Sequence, residues 1–438
     1  WGQASYGQLG EGDVYTSHLK HSQIEALSGV TVEDIALGNL AAFATTAEAS
    51  YPWGHADYGS LGVGGVMLQA TVGQPDLNHP AVDSLGGAVR MTRISTGRYF
   101  TLGLGEDTSV WVAGAPSHGG MHSVQHNDFR PLLFPTGETW EDMIAIDVAG
   151  HHGCGLSADG IMNCWGHNDY GLLGVGTTDA QTTEVQPGGS GAFVTTTVPV
   201  EPHFPEGTGS VSDIVTSVEH SCAIVGDAGS VYCWGRNHLG QIGNGAVDTD
   251  DAAPVLTPSP VLTATDAPLT GMVALVDNSR AAATCALDAN DSLYCWGDNA
   301  NGLVSAGASI ASAVPYATEL TTGLEPIAHA VMGWSHMCVV AEGNGSAYCW
   351  GDGYQGALGD GAGQSQSSPV SVSKSTGMTA DIIALRAAQV RTLALDAEGD
   401  VWYWGMLSPQ DGAGSAANAT PTPIDGLDTP CTDLCEGG

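Results

Sequence analysis

The sequence predicts an all-β fold: a seven-bladed β-propeller of short four-stranded blades, closed by joining the N- and C-terminal segments. A Trp-Gly pair recurs at intervals of 52 to 69 residues, with one degenerate copy, so eight anchors bound seven units. Two β-rich runs joined by a turn precede each anchor after the first, and no amphipathic helical stretch of any length occurs. The anchors are Trp1, Trp53, Ala113, Trp165, Trp234, Trp296, Trp350 and Trp404.

The run that ends at each Trp-Gly pair predicts a β-hairpin. In VEHSCAIVGDAGSVYCWG, apolar residues lead to the first cysteine, an Asp-Ala-Gly turn follows, and a second β-rich run ends at Trp234. Equivalent hairpins without cysteine are expected at 43–53, 101–114 and 393–404. Each unit therefore supplies at least two paired strands.

A Gly-x-Leu-Gly turn or a variant of it, a variable loop and an extended proline-containing stretch follow the anchors, as in SSPVSV at 367–372. The unit after Ala113 has lost this turn, and the segment after Trp404 is a degraded copy. Four short strands per unit result. Such strands cannot bury both faces unless units pack on each other, and radial stacking also hides the sheet edges.

The two ends of the chain predict how the blades close. The chain starts with a post-anchor segment at Trp1 and finishes with another after Trp404, so we expect both termini to share one blade. Residues 1–427 are expected to form a single propeller domain, and residues 428–438 a tail or linker with a cysteine pair. Because Trp1 lies inside a repeat motif, we expect an upstream strand or a removed signal segment before it.

The charge restricts the class of partner. Ten Lys and Arg residues stand against 47 Asp and Glu, giving a formal net charge of −37. This sign argues against nucleic acid or an anionic membrane as the partner. The sequence contains no run of about 18 apolar residues, so we expect no membrane insertion. The carboxylates are scattered along the chain, which favours a saline (halophilic) habitat; an acidic secreted protein of ordinary habitat is the alternative.

Ten cysteines predict a disulfide framework. Four pairs have nine or ten intervening residues and a fifth pair lies near the C-terminus, and none has the close spacing of a zinc site. The pairs are Cys154/Cys164, Cys222/Cys233, Cys285/Cys295, Cys338/Cys349 and Cys431/Cys435. An oxidising compartment follows: extracellular, periplasmic or the cell surface. Free thiols in the cytosol and pairing between adjacent blades are the alternatives.

The tandem motif H-S-C-A…V-Y-C-W-G-x-N-x-x-G-Q-L-G resembles the regulator of chromosome condensation repeat, over about residues 1–427. The resemblance implies a seven-bladed propeller, and we expect a bacterial secreted type. Members of this family include a nuclear exchange factor, a plant ultraviolet-B receptor and a secreted inhibitor of β-lactamases. The resemblance is therefore specific for the fold, and the function must come from a site.

Residues that recur at one repeat position are interpreted as structural. The tryptophans that end the hairpins are expected to pack blade on blade rather than to sense light; they are Trp165, Trp234, Trp296, Trp350 and Trp404. His152, His220 and His336 precede the first cysteine of their hairpins by two residues and are expected to share a structural hydrogen bond. The hairpins without cysteine are expected to substitute apolar contacts at Phe43/Pro52, Thr101/Val112 and Leu393/Tyr403.

Two clusters suggest metal ions, yet each has a more ordinary interpretation. His118, His122 and His126 have helical spacing, but Gly119 and Gly120 disfavour a helix, and the acidic loop with Asp248, Asp250 and Asp251 lacks the calcium-loop pattern. We therefore predict no metal and no cofactor. No nucleophile elbow, zinc helix or phosphate loop is present, so we predict no catalytic residues and no enzyme.

We expect an extracellular or cell-surface binding or recognition module for a protein or glycan partner, as a monomeric ring. Its binding loops would be the variable insertions 115–141, 176–210 and 245–269, unless these are tolerated spacers. The alternatives are a secreted enzyme inhibitor similar to β-lactamase inhibitor protein II and, less favoured, a propeller glycan lyase or hydrolase.

Overall fold

The computed structural model describes most of each repeat unit, but not parts of several loops or the two ends of the chain. It describes residues 27, 31–37, 41–47, 49–55, 60–62, 68–69, 89–97, 100–114, 126–132, 140–178, 195–250, 253–276, 282–304, 313–320, 324–373, 378, 380–388, 390–406 and 418–423. Trp1, the segment after it and residues 428–438 lie outside these ranges, so closure of one blade by both termini and the role of the tail stay predictions.

The described residues form seven sheets of four strands each, and in every sheet neighbouring strands follow one another in chain order. These sheets are the blades of an all-β, seven-bladed propeller, which confirms the predicted fold class. Each blade comprises a strand, the predicted hairpin, and a fourth strand paired to the hairpin's far side. The described part of the chain contains no helix long and apolar enough to cross a bilayer.

The first three blades are formed by strands β1 to β12. Their bounds are β1 Val32–Leu37, β2 Ala41–Thr46, β3 Ser50–His55, β4 Leu68–Gln69, β5 Met91–Thr96, β6 Phe100–Gly105, β7 Val110–Gly114, β8 His126–Pro131, β9 Met143–Ala149, β10 His152–Ser157, β11 Met162–His167 and β12 Thr195–Val200.

The remaining four blades are formed by strands β13 to β28. Their bounds are β13 Val211–Thr216, β14 His220–Val225, β15 Ser230–Gly235, β16 Val255–Pro260, β17 Met272–Val276, β18 Ala283–Asp288, β19 Leu293–Asp298, β20 Ala313–Glu319, β21 Ile327–Met332, β22 His336–Ala341, β23 Ala347–Gly351, β24 Gln366–Ser371, β25 Ile382–Ala388, β26 Arg391–Asp396, β27 Val401–Gly405 and β28 Asn418–Pro423.

The Trp-Gly anchors lie on the third strand of each blade. The degenerate anchor Ala113 lies on β7, in a sheet with all four strands, so the unit that has lost its tryptophan is a complete blade. The seventh blade takes its four strands from residues 382–423. Counting units by the anchors therefore gives the number of sheets.

By internal contacts the chain divides into two compact units. One comprises Trp1–Ser221 with Val255–Pro258, and the other comprises Cys222–Pro254 with Ser259–Gly438. The expectation of one domain over residues 1–427 stays a prediction.

The core of each unit lies between consecutive blades. In the first unit, Phe100 and Leu102 of β6 pack with Met143 and Val148 of β9 and with Trp165. All five side chains are at most 3% exposed. Full burial of one such side chain stabilises the fold by about 1.5–3 kcal/mol, so the contact between sheets contributes strongly to stability.

The second unit repeats this arrangement. Leu293 and Leu303 of the fifth blade pack with Met337, Val339 and Trp350 of the sixth. These side chains alternate along their strands with residues of the opposite face, as the period of two requires. The apolar runs of the sequence are therefore explained by burial on both faces of each sheet.

Candidate functional site

The four hairpin cysteine pairs are disulfides. Cys154–Cys164, Cys222–Cys233, Cys285–Cys295 and Cys338–Cys349 each close a single hairpin, with 4.1 Å between Cα atoms. The two cysteines of a pair lie directly opposite each other on neighbouring strands, as in β10 and β11. Pairing between adjacent blades is therefore wrong for these eight cysteines. Cys431 and Cys435 lie outside the described residues.

Apolar pairs occupy the same positions in the hairpins without cysteine. Phe43 faces Pro52, and Leu393 faces Tyr403, as expected. The expected partner of Val112 is wrong: Leu102 faces it, and Thr101 faces Ala113. The residues facing each other at 102 and 112 are ten apart, the separation of two of the disulfides, so the alignment was one residue out of register.

Trp296 and Trp350 donate hydrogen bonds to the preceding blade. The indole Nε1 of Trp350 donates a hydrogen bond to the carbonyl oxygen of Leu303 at 2.8 Å, and that of Trp296 donates to Gln241 at 3.0 Å. Both acceptors lie in the turn after the anchor of the preceding blade, which reads Gly-Gln-Ile-Gly at 240–243 and Gly-Leu-Val-Ser at 302–305. The five tryptophans of the predicted set are at most 1% exposed, so they are inaccessible to a ligand.

An asparagine three residues after Trp165, Trp234 and Trp296 has a structural role that the motif alone did not predict. Asn299 is fully buried, and its Oδ1 accepts a hydrogen bond from the backbone N–H of Val304 at 3.0 Å. Asn237 accepts from Ile242 in the same way, at 3.1 Å. Recurrence in the Trp-Gly-x-Asn motif was the available signal, and the contact explains it: this side chain holds the turn that receives the next tryptophan.

The recurring histidines His152 and His336 link consecutive blades. His152 Nε2 lies 2.8 Å from Ser221 Oγ, and His336 Nε2 lies 2.9 Å from Thr392 Oγ1. Burial, and then the charges of His220 and two further histidines, lower the pKa of His152 to about 3. A neutral imidazole beside a serine has the composition of a catalytic pair, yet both side chains are fully buried, so no substrate reaches them.

The residues considered for metal binding form no such centre where they are described. His118, His122 and Asp251 lie outside the described residues, as does the side chain of His126. Asp248 is half-buried, and one of its oxygens accepts a hydrogen bond from the backbone N–H of Ala253 at 2.7 Å. Within the described ranges, no group of three or more His, Cys, Asp or Glu residues is placed to hold a metal ion.

A cleft of the first unit lies beside the linker between the third and fourth blades. Residues 201–210 connect β12 to β13 and end the insertion 176–210. Together with the hairpin turn at 159–162, these residues line an open cleft of about 840 Å³. We call this space the linker cleft. It is the place where a predicted variable loop and a rigid hairpin meet.

Backbone hydrogen bonds fix both walls of the linker cleft. Val211 N donates to the carbonyl of Gly160 at 2.9 Å, and His203 N donates to the carbonyl of Gly174 at 2.9 Å. Gly160 has a φ of 81°, and a Cβ there would lie 2.4 Å from the Cβ of Ser210, so the turn and the linker approach closely only because this residue is glycine. The cleft is therefore preformed.

The surface of the linker cleft combines apolar and acidic side chains. Ile161 is 43% exposed, Phe204 is half-buried and Pro205 is exposed. Asp159 and Glu201 are exposed carboxylates on the same lining. Among the described residues that line it, none is Lys or Arg. The cleft offers apolar contact and negative charge side by side.

A second cleft lies within the other unit, beside the linker between the fourth and fifth blades. It measures about 320 Å³ and is lined by residues 268–272, by Thr263 and by the hairpin turn at 288–290. Tyr294 also lines it, and burial, followed by the charges of Glu319 and Asp288, raises the pKa of its phenol. This cleft takes part of its lining from the insertion 245–269.

Two family profiles match the repeat units of the chain. Residues 211–241 and 282–303 match one profile and residues 344–391 match the other, and both are described as "Regulator of chromosome condensation (RCC1) repeat". The chain therefore contains repeats of this kind on a seven-bladed propeller.

Three characterised proteins are similar to the chain over parts of its length. The ultraviolet-B receptor UVR8 of Arabidopsis thaliana is 26% identical over 249 residues, 56% of this chain and 50% of the receptor. The human E3 ubiquitin-protein ligase HERC2 is 33% identical over 187 residues, 41% of this chain and 4% of the ligase. The mitochondrial RCC1 domain-containing protein RUG3 of A. thaliana is 26% identical over 70% of this chain and 63% of that protein. The chain thus spans less than two thirds of each relative.

Solved structures show the same fold. Prp20p of Saccharomyces cerevisiae superposes with a TM-score of 0.67 at 19% identity, covering 89% of this chain and 88% of Prp20p. Human WBSCR16 superposes with a TM-score of 0.61 at 15% identity, covering 82% of this chain and 85% of that protein.

Proposed function

We propose that the chain is an extracellular or cell-surface binding module that recognises a protein or glycan partner. One observation carries the proposal: the two clefts take part of their linings from two of the three variable insertions, at 176–210 and 245–269. Variable loops fixed on a rigid scaffold are where binding residues concentrate. The linker cleft has the volume of a ligand site, and its walls are already in place.

The relatives support binding to proteins. UVR8 is named a receptor, and the structure of Prp20p is described with its binding to Gsp1p and histones. A further structure shows Kap60 bound to the same yeast protein. These names and titles describe a receptor and protein binding, which favours a non-catalytic binding role for this chain too.

The four disulfides support a location outside the cytosol. Thiols persist in the reduced form in the cytosol, whereas closed hairpin disulfides are typical of secreted and periplasmic proteins. We propose an extracellular, periplasmic or cell-surface location. The net charge of −37 favours a saline surrounding.

Glycan and peptide arrays test the binding role. The folded, oxidised chain is applied to both arrays, with reduced and alkylated chain as the control for unspecific retention. We expect the folded chain to retain a defined set of ligands that the control does not. Retention of nothing by the folded chain would contradict the proposal, as would turnover of a glycan, and inhibition of a β-lactamase would replace it with the inhibitor role.

A further inference from the structure

We propose that the linker cleft binds an extended, positively charged segment of a partner protein, with an apolar side chain seated between basic ones. This inference rests on the proposed function and specifies its partner.

The charge of the cleft selects a basic ligand. Asp159 and Glu201 line it, and no Lys or Arg is present among its described lining residues. The rest of the chain adds to this potential, because the formal net charge is −37. A second copy of this chain carries the same sign and would be repelled, whereas Arg or Lys side chains would be attracted.

The apolar part of the cleft selects a side chain that is not charged. Ile161 is 43% exposed at the turn of a hairpin. Phe204 and Pro205 face the same space from the linker. Single exposed apolar residues are common on surfaces, but here three apolar residues line the same cleft.

The shape of the cleft favours an extended chain. It is open to solvent and lies between a hairpin turn and a linker that are joined by a backbone hydrogen bond. A preformed groove lowers the ordering cost of binding, so that a short segment suffices. An enclosed cavity would instead be expected for a small molecule.

Two synthetic peptides are the probes: a fluorescent dodecamer of Gly-Arg-Leu-Arg repeats and its Gly-Glu-Leu-Glu counterpart. Fluorescence anisotropy is measured with the folded, disulfide-bonded chain at about 50 mM and about 500 mM NaCl, since salt screens exposed charges. We expect the basic peptide to bind and to weaken at high salt, and the acidic peptide to stay free. Because any acidic protein attracts a cationic peptide, the variants below decide the location.

Matched pairs of variants locate the site. Glu201→Gln removes a charge from the cleft lining, whereas Glu206→Gln removes one from the same linker at an exposed residue outside the described lining. Ile161→Ser removes the exposed apolar contact, whereas Ile144→Ser changes an isoleucine that is 55% exposed on β9, away from the lining. We expect the first member of each pair to raise Kd about two- to fivefold and the second to leave it unchanged.

The outcomes separate this inference from the proposed function. Equal effects of Glu201→Gln and Glu206→Gln would show unspecific charge attraction and overturn the cleft as the site. Retention of glycans on the arrays, together with no binding of the basic peptide, would overturn the peptide partner while the binding role stands. Thermal melting followed by circular dichroism shows that each variant is folded.

Discussion

Gly359 is expected to be replaceable only at a high cost in stability, because it faces the tryptophan of the next blade. It has a φ of 68°, and a Cβ there would lie 2.9 Å from Cδ1 and from Nε1 of Trp404. Trp404 is fully buried and cannot move aside. The last glycine of the Gly-x-Leu-Gly turn is therefore required by backbone conformation and by packing together.

The two contributions can be separated by a matched glycine. Gly363 has a φ of 61° and nothing within 4 Å of its added Cβ, so Gly363→Ala measures the cost of the left-handed conformation alone, about 1–2 kcal/mol. Gly359→Ala adds the overpacking against Trp404, a further ~1–3 kcal/mol. We therefore expect the unfolding free energy of Gly359→Ala to be ~1–3 kcal/mol lower than that of Gly363→Ala.

Urea unfolding at equilibrium, followed by tryptophan fluorescence and by circular dichroism, measures both variants against the wild type. Equal losses of unfolding free energy in the two variants would refute the reasoning, because contact with Trp404 would then contribute nothing. A larger loss for Gly363→Ala would refute it also.

Three further predictions concern contacts between strands and blades. Burial lowers the pKa of His152 to about 3, so below the usual pKa of about 6.5 the folded state binds fewer protons than the unfolded state. The contribution of neutral His152 to the unfolding free energy is therefore complete above about pH 6.5 and is lost towards pH 3. It falls by about 2 kcal/mol between pH 7 and pH 5. Urea unfolding should show this loss relative to His152→Asn, and parallel pH profiles of the two proteins would contradict it. Replacing Cys285 and Cys295 together by alanine should cost about 2–3 kcal/mol, because the disulfide closes a short loop; non-reducing peptide mapping must first find this pair linked in the native protein. Trp350→Phe should cost about 1 kcal/mol more than Trp404→Phe, because the indole of Trp350 donates to a carbonyl while that of Trp404 has no hydrogen-bond partner in the described part of the chain; equal unfolding free energies would argue against it.

The sequence by itself determined the hairpins, their disulfides and the number of blades. These features join residues close along the chain: Cys285 and Cys295 are 10 residues apart, and both are fixed by strand propensity and a turn. The anchor tryptophans recur often enough that even the degenerate unit at Ala113 could be counted. The variable insertions were also visible as departures from the repeat.

Only the tertiary structure decided what the recurring residues contact. The acceptor of the Trp350 indole, Leu303, lies 47 residues away in the preceding blade, and the partner of His152 lies 69 residues away. The linker cleft joins Ile161 to residues about 40 positions later, and no repeat motif marks either side. Such contacts depend on how one sheet packs against the next, and a local pattern of residues carries no information about which side chains meet across that packing.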